Sequence, residues 1–268
     1  MKLFEMATIV AGCAGLLLAG CQGGNKEEAP TEAPKAEAPV AEAPVAEAPE
    51  ASGEPGSIKV TVNFEGKAPD MKALNRKSDP YCAKTPKKDP SVIVKDGHLE
   101  NVIVRIDGKV KVDTPPPAEP VKIAQHECMY EPRVQVAFEG QQIAIHNDDK
   151  TLHNVHAYKG ENKENWFNSA QPPKSPAISK DLDLDGMVQL KCDVHPWMSA
   201  FVSVSDNPFN SIVGEDGTVT WDKVPSKAKP YKIEAWHEAF GKLEQEVKVE
   251  PGKTAEVTFT FKADAAAN

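Results

Sequence analysis

Hydrophobic and polar residues alternate along much of the chain after residue 56. In at least four segments an apolar residue occupies every second position, and turn sequences such as Asp107-Gly108 and Pro251-Gly252 lie between them. Period-two alternation bounded by turn residues predicts antiparallel strands with one buried face. The apolar positions are Ile58, Val60, Val62 and Phe64; Val102, Val104 and Ile106; Val134, Val136 and Phe138; and Val257, Phe259 and Phe261.

The pattern predicts an all-β fold, because no long helical periodicity occurs after the first twenty residues. Residues 56–205 are sufficient for one β-sandwich core. The sequence Asp206-Asn207-Pro208 then suggests a boundary. We therefore expect a small additional β-sandwich, or extra strands packed on the first, over residues 206–263, followed by a disordered tail over 264–268.

The amino terminus resembles a bacterial lipoprotein signal peptide over residues 1–20. Its apolar run, from Ala7 to Leu18, is about twelve residues long, which is too short to span a bilayer. The sequence Leu18-Ala19-Gly20-Cys21 resembles a lipobox, which implies that Cys21 is acylated and becomes the new amino terminus. We expect a lipid anchor and no membrane-spanning segment. The alternative is a cleaved, soluble secreted protein.

Residues 21–55 comprise Cys21 and a linker in which Glu-Ala-Pro recurs five times. Such a segment is predicted to be disordered because it has almost no apolar residues to bury. At roughly 3.1 Å per residue it could extend on the order of 100 Å. Residues 22–55 hold eight Glu and two Lys, which is most of the chain's net charge of −9. The remainder is only mildly acidic, and nothing indicates nucleic-acid binding.

The strongest chemical signal is the heptapeptide Cys192-Asp193-Val194-His195-Pro196-Trp197-Met198, together with His153 upstream. Two imidazoles, a thiolate and a thioether suit a trigonal copper site with a weak axial sulfur, as used for single-electron transfer. Zinc prefers four firm ligands or an open water position, which this set provides poorly. Three ligands within seven residues require a tight loop, which Pro196 favours.

These motifs resemble the ligand motifs of the cupredoxin family of blue copper proteins, particularly its amicyanin-like members, over residues 134–205. The resemblance implies that His153, Cys192, His195 and Met198 bind one type 1 copper ion in a Greek-key β-sandwich. It also implies that Asn154 joins the two ligand-bearing loops by hydrogen bonds. One departure is Trp197, which stands where the family pattern has a smaller aromatic residue.

In the family pattern, the second histidine lies at an apolar surface patch where redox partners dock. The corresponding patch here would comprise Pro196 and Trp197 around His195. The alternative is that Trp197 packs inward. A second resemblance concerns Gly214–Thr218 and Tyr231–His237, which are similar to carboxypeptidase regulatory-like (transthyretin-like) β-sandwich domains.

The chain has five cysteines, and three have other expected roles: Cys13 would leave with the signal peptide, Cys21 would be acylated and Cys192 would be a ligand. In an oxidising compartment the remaining pair, Cys82 and Cys128, is expected to form a disulfide. The alternative is a second copper site formed by Cys128 with His126 and Met129. His156 is interpreted as structural because it lies near His153 but on the opposite strand face. No role is assigned to His98, His126, His146 or His237.

These observations lead to the hypothesis of a lipid-anchored, exported copper protein that transfers single electrons between redox proteins of the bacterial cell envelope. Gln22 after the acylated cysteine favours the outer membrane. Two alternatives are a lipoprotein that stores or delivers Cu(I) and a non-redox β-sandwich interaction module. Enzymatic activity is not expected, because no nucleophile–base pair or phosphate-binding loop is evident and a four-ligand copper has no open position.

Overall fold

The computed structural model describes residues 53–265. The expected signal peptide, the acylation site Cys21, nearly all of the linker and residues 266–268 lie outside the described residues. Within them, the structure consists of β-strands and two short 3₁₀ helices, Cys82–Lys84 and Ala263–Ala265. The all-β fold class predicted from the sequence is therefore confirmed. No helix between residues 53 and 265 is long and apolar enough to cross a membrane.

The described residues form eighteen strands. In chain order they are β1 (Gly53–Glu65), β2 (Val94–Lys95), β3 (His98–Leu99), β4 (Ile103–Asp107), β5 (Val121–His126), β6 (Met129–Glu131), β7 (Val134–Phe138), β8 (Gln142–Asn147), β9 (His153–Lys159), β10 (Glu164–Gln171), β11 (Ile178–Asp181), β12 (Gly186–Lys191), β13 (Ser199–Ser205), β14 (Asn210–Ile212), β15 (Thr218–Ser226), β16 (Tyr231–His237), β17 (Gly241–Val247) and β18 (Thr254–Lys262).

One β-sandwich is formed by strands β5 to β13. Its five-stranded sheet has the order β10-β9-β12-β13-β7, and its four-stranded sheet has the order β11-β8-β5-β6. Both sheets contribute alternate residues to one apolar core, for example Ile143 and Ile145 from β8 and Val188 and Leu190 from β12. The alternation leaves Gln189 between two buried neighbours and facing away from that core.

A second β-sandwich combines strands from both ends of the described chain. Its sheets have the orders β15-β1-β18 and β14-β4-β16-β17. Strand β1 pairs in parallel with β18, with Val60 opposite Val257, and β4 pairs antiparallel with β16, with Ile106 opposite Ile233. Residues of β1 and β4 thus share a core with residues 206–263.

This strand pairing differs from the division expected from the sequence, which counted β1 and β4 with residues 56–205. The physical reason is that a period-two pattern identifies a strand and its buried face but not the strand beside it. The two sandwiches contact each other through a small apolar cluster that includes Val134 and Phe201. In this cluster the ring of Trp236 lies 5.0 Å from that of Phe201.

A disulfide links the segment between β1 and β2 to the β5–β6 turn. It joins Cys82 to Cys128, which are separated by 46 positions, as the cysteine count predicted. Both cysteines are buried in the core of the first sandwich. The alternative of a second copper site on Cys128, His126 and Met129 is wrong, because a disulfide sulfur is not a thiolate ligand.

Candidate metal centre

Two neighbouring strands bring the candidate ligands together at one end of the first sandwich. His153 is the first residue of β9, and Cys192 directly follows β12. The two strands are antiparallel, with Lys191 opposite His156, so the start of β9 lies beside the end of β12. The loop from Cys192 to Met198 then turns back into β13, which explains how ligands 39 residues apart meet.

Three potential ligand atoms converge in this loop. The Sγ atom of Cys192 lies 3.7 Å from Nδ1 of His195 and 4.0 Å from Nδ1 of His153. The two Nδ1 atoms are 2.9 Å apart. Both histidines are 0% exposed, and Cys192 is 1% exposed. The Sγ atom and the two Nδ1 atoms therefore face one small space that is shielded from water.

Met198 belongs to the same tight loop and is fully buried in the core that also contains Cys192. Its backbone N–H donates to the carbonyl oxygen of His195 at 2.9 Å, and its own carbonyl oxygen accepts from the N–H of Cys192 at 3.3 Å. These two bonds hold the loop closed around the candidate ligands. They keep residue 198 beside the cluster, where a thioether could serve as a weak fourth ligand.

Each candidate ligand histidine also contacts a carboxylate through its other ring nitrogen. Nε2 of His153 lies 2.9 Å from Oδ2 of Asp149, and Nε2 of His195 lies 3.0 Å from Oδ2 of Asp79. Sequence reasoning missed both aspartates. Asp149 could have been noticed because it precedes His153 by four residues, whereas Asp79 lies in an irregular segment without a motif.

The donor set fits a metal ion. Because both Nε2 atoms face carboxylates, we assign their hydrogens there, and the Nδ1 lone pairs then point toward each other and toward the Cys192 sulfur. Such a convergence of electron-pair donors is favourable when a cation lies between them. Atoms bonded to one ion at about 2.0–2.3 Å lie roughly 3–4 Å apart, which matches the distances given above.

The same surroundings favour the thiolate form of Cys192. Burial alone would raise the pKa of this thiol. In the metal-free protein, when the histidines carry a hydrogen on Nδ1, hydrogen bonds donated by His153 and His195 outweigh burial and lower its pKa to about 6. A metal ion bound between the three atoms would take the place of those hydrogens. For His153, burial acts to lower the pKa, while contacts with Asp149 and Cys192 raise it overall. A thiolate is the form of cysteine that binds metals.

Asn154 connects the segments that carry His153 and Cys192 by hydrogen bonds. Its Oδ1 atom accepts the backbone N–H groups of Asp193 at 2.6 Å and Val194 at 3.3 Å. Its Nδ2 atom donates to Oδ1 of Asn168 at 2.8 Å. Tyr130 also holds this segment, because its hydroxyl donates a hydrogen bond to the carbonyl oxygen of Asn154 at 2.9 Å.

The surroundings of His195 differ from the exposed patch that the resemblance implied. Pro196 is exposed, but Trp197 is half-buried and donates its Nε1 hydrogen to the carbonyl oxygen of Cys128 at 2.9 Å. Its packing is toward the first sandwich core. His195 is covered because Asp79 and Cys82 contact its ring edge, the latter with Sγ 3.5 Å from Nε2.

The remaining histidines lie outside the three-donor cluster. His156 contacts Asp193 at 3.0 Å and Asn165 at 3.2 Å near the surface, in agreement with a structural role. Two other groups of potential ligands occur among the described residues, each built on a cysteine of the Cys82–Cys128 disulfide. Cys192 is the free cysteine of the described chain.

No protein-family model and no curated protein sequence matches the chain. Among solved structures, it is similar to a purple cupredoxin from Nitrosopumilus maritimus, with 22% identity over 32% of this chain and 99% of the other, at a TM-score of 0.28. Amicyanin from Paracoccus versutus shows 18% identity over 38% of this chain and 96% of the other, at a TM-score of 0.29.

A copper-containing nitrite reductase from Thermus scotoductus shows 16% identity over 37% of this chain and 25% of the other, at a TM-score of 0.29. At these scores, the matches are partial likenesses of fold. The functional conclusion therefore depends on the side chains of the site itself.

Proposed function

We propose that the protein is a type 1 copper protein that transfers single electrons between redox partners in the bacterial cell envelope. The convergence of the Nδ1 atoms of His153 and His195 with Sγ of Cys192, all within 4.0 Å, carries this proposal. Bound copper would supply a one-electron couple. Met198 would supply the weak fourth ligand.

The protein's own residues keep such a site suited to electron transfer. A thiolate and two imidazoles can hold both cuprous and cupric ions, so the metal stays bound in either state. Carboxylates Asp149 and Asp79 fix the orientation of the two rings through their Nε2 atoms. The complete burial of His153 and His195 keeps solvent away from the ligands.

The proposal is tested by spectroelectrochemistry of the copper-loaded full-length protein. We expect repeated one-electron oxidation and reduction without loss of metal. The visible absorption of the cupric form monitors each cycle. Copper that leaves the protein on reduction, or a cupric form that cannot be regenerated, would contradict electron transfer. That outcome would favour the alternative of Cu(I) storage or delivery.

We further propose that the protein has no enzymatic activity, because four protein ligands would leave no open position on the metal for substrate.

We also propose that lipid on Cys21 tethers the protein to the outer membrane of the envelope through the Glu-Ala-Pro linker. Metabolic labelling with palmitate tests the tether. We expect label in the native protein and none in Cys21→Ser, and label in both would contradict acylation at this residue.

A further inference from the structure

The segment 72–88, which we call the cap, folds over the candidate metal centre. Its two ends are held together because Ala73 pairs with Lys88 and the N–H of Leu74 donates to the carbonyl oxygen of Lys87 at 2.9 Å. Between these ends the chain turns inward and places Cys82 in the core of the first sandwich. The cap is therefore a loop whose two ends are held together, and it has an inner and an outer side.

The inner side of the cap covers the edge of His195. Oδ2 of Asp79 lies 3.0 Å from Nε2 of His195, and Sγ of Cys82 lies 3.5 Å from the same atom. Together with Trp197, these contacts leave His195 with 0% exposure. A partner that approaches this histidine from the side of its Nε2 atom therefore meets the cap first.

Several bonds fix the cap in this position. The disulfide joins Cys82 to Cys128, and the buried guanidinium of Arg76 donates to the carbonyl oxygens of Thr85 and Glu127. The hydroxyl of Thr151 donates to Oδ2 of Asp79 at 2.7 Å. The cap is thus held by both the turn before β6 and the loop before β9.

The outer side of the cap is strongly cationic. Residues 72–88 contain six Lys or Arg and one carboxylate, in a chain whose net charge is −9. Arg76 is buried and Lys87 pairs with Glu127. The other four cationic residues are exposed and make no ion pair among the described residues: Lys72, Lys77, Lys84 and Lys88.

We propose that the cap is the docking surface for an acidic one-electron carrier protein. The proposal rests on the function proposed above and names its partner class. Four exposed lysines attract a face rich in carboxylates and speed its encounter, while the acidic remainder of this chain disfavours other orientations. The 3.5 Å contact between Nε2 of His195 and Sγ of Cys82 then links the ligand ring to the docked surface. One electron passes from the reduced site to the oxidised partner, and no bond or proton is exchanged.

The first test needs no bound metal. The probe is hexacyanochromate(III), a paramagnetic trianion, titrated into the isotope-labelled, copper-free full-length protein. We expect selective broadening of backbone amide signals in residues 72–88. In the double variant Lys77→Glu, Lys84→Glu the broadening should fall several-fold. The control is the double variant Lys229→Glu, Lys248→Glu, whose two lysines are exposed outside the cap, before β16 and after β17; there the broadening should persist. Broadening centred elsewhere on the protein would overturn the assignment of the cap.

The second test measures electron exchange of the copper-loaded protein at low ionic strength. The probes are hexacyanoferrate(III), an anion, and tris(phenanthroline)cobalt(III), a cation, which both oxidise the reduced site. The cap variant should react about 3–10-fold more slowly with the anion and faster with the cation, while the control variant keeps both rates. The effect should shrink at high salt.

The outcomes separate this inference from the proposed function. A protein that forms no blue copper site contradicts the function, whereas anion mapping on the copper-free chain still decides whether the cap binds anions. Unchanged rates in the cap variant, with slower exchange in Val194→Asp, would place docking on the exposed apolar residues Leu152 and Val194 and overturn the proposal. Binding to phosphatidylglycerol vesicles that is lost in the cap variant would assign the surface to a membrane and overturn it too.

Discussion

The Nε2 atom of His195 lies 3.0 Å from Oδ2 of Asp79, although the two residues are 116 positions apart. His153 has the same kind of partner, because its Nε2 atom lies 2.9 Å from Oδ2 of Asp149. An imidazole that donates one N–H to a carboxylate is oriented by it and becomes a more basic ligand through the other nitrogen. Two aspartates from different loops would therefore prepare both rings for the proposed cation.

The role of Asp149 leads to a prediction about copper affinity. Asp149→Asn should weaken copper binding about 10–100-fold, because an amide is a poorer acceptor for the N–H of His153 than a carboxylate. Competition with a chromophoric chelator measures the affinity. Asp148→Asn is the matched control, since Asp148 is exposed and adjacent. Equal affinities for the two variants would contradict the positioning role.

A second prediction concerns Met198 as the proposed weak fourth ligand. Met198→Gln should retain copper and lower the reduction potential, because an amide oxygen is a harder donor than a thioether and favours the cupric ion. A redox titration followed by visible absorption measures the potential. Met187→Gln serves as control, because Met187 packs at the contact between the sandwiches. An unchanged potential in Met198→Gln would remove Met198 from the ligand set.

A third prediction concerns the disulfide between Cys82 and Cys128. Replacing both residues with serine should lower the free energy of unfolding by about 2–4 kcal/mol, since the bridge restricts the unfolded chain. It should also loosen the cap and speed copper loss to an added chelator. Urea unfolding and stopped-flow absorbance measure the two effects. Lower stability with an unchanged rate of copper loss would show that the cap does not limit access to the site.

A fourth prediction concerns pH and is made for the copper-free protein. Burial, aided by the charge of Arg133, lowers the pKa of His237 from 6.5 to about 4. The unfolded chain therefore binds a proton on His237 more tightly than the folded chain does. The contribution of this histidine to the free energy of unfolding is fully present above pH 6.5 and is lost as the pH decreases toward 4. Complete protonation would remove roughly 3 kcal/mol.

Urea unfolding at a series of pH values tests this prediction. His237→Gln should flatten the loss of stability between pH 6.5 and 4, while the exposed control His126→Gln should keep the native slope. If His237→Gln and the native protein lose stability in parallel, the buried histidine is not responsible for the acid sensitivity.

The all-β fold class followed from the sequence. Cys192, His195 and Met198 share one short loop, so their residue types and spacing, together with His153, led to the prediction of a common metal centre, and their role as ligands stays a prediction. The strands followed from alternation in segments such as β1 and β18. Cysteine counting predicted the Cys82–Cys128 bridge because few partners were available.

The features that the sequence did not predict all depend on contacts between distant segments. Asp79 carries no motif, and its approach to His195 results from how the cap folds over the sandwich. The pairing of Val60 with Val257 likewise joins strands from opposite ends of the described chain. A sequence pattern reports which residues are buried in an element but does not specify which distant element covers them. For the same reason the sequence left open whether Trp197 is exposed or packs inward.

The most direct test of the copper assignment is the visible and EPR spectrum of the full-length protein after addition of one equivalent of Cu(II). We predict an intense visible thiolate-to-copper charge-transfer band that is lost in Cys192→Ser, while Cys192→Ser keeps the native circular dichroism. Absence of the band in the native protein, or its persistence in Cys192→Ser, would contradict a copper site built on Cys192.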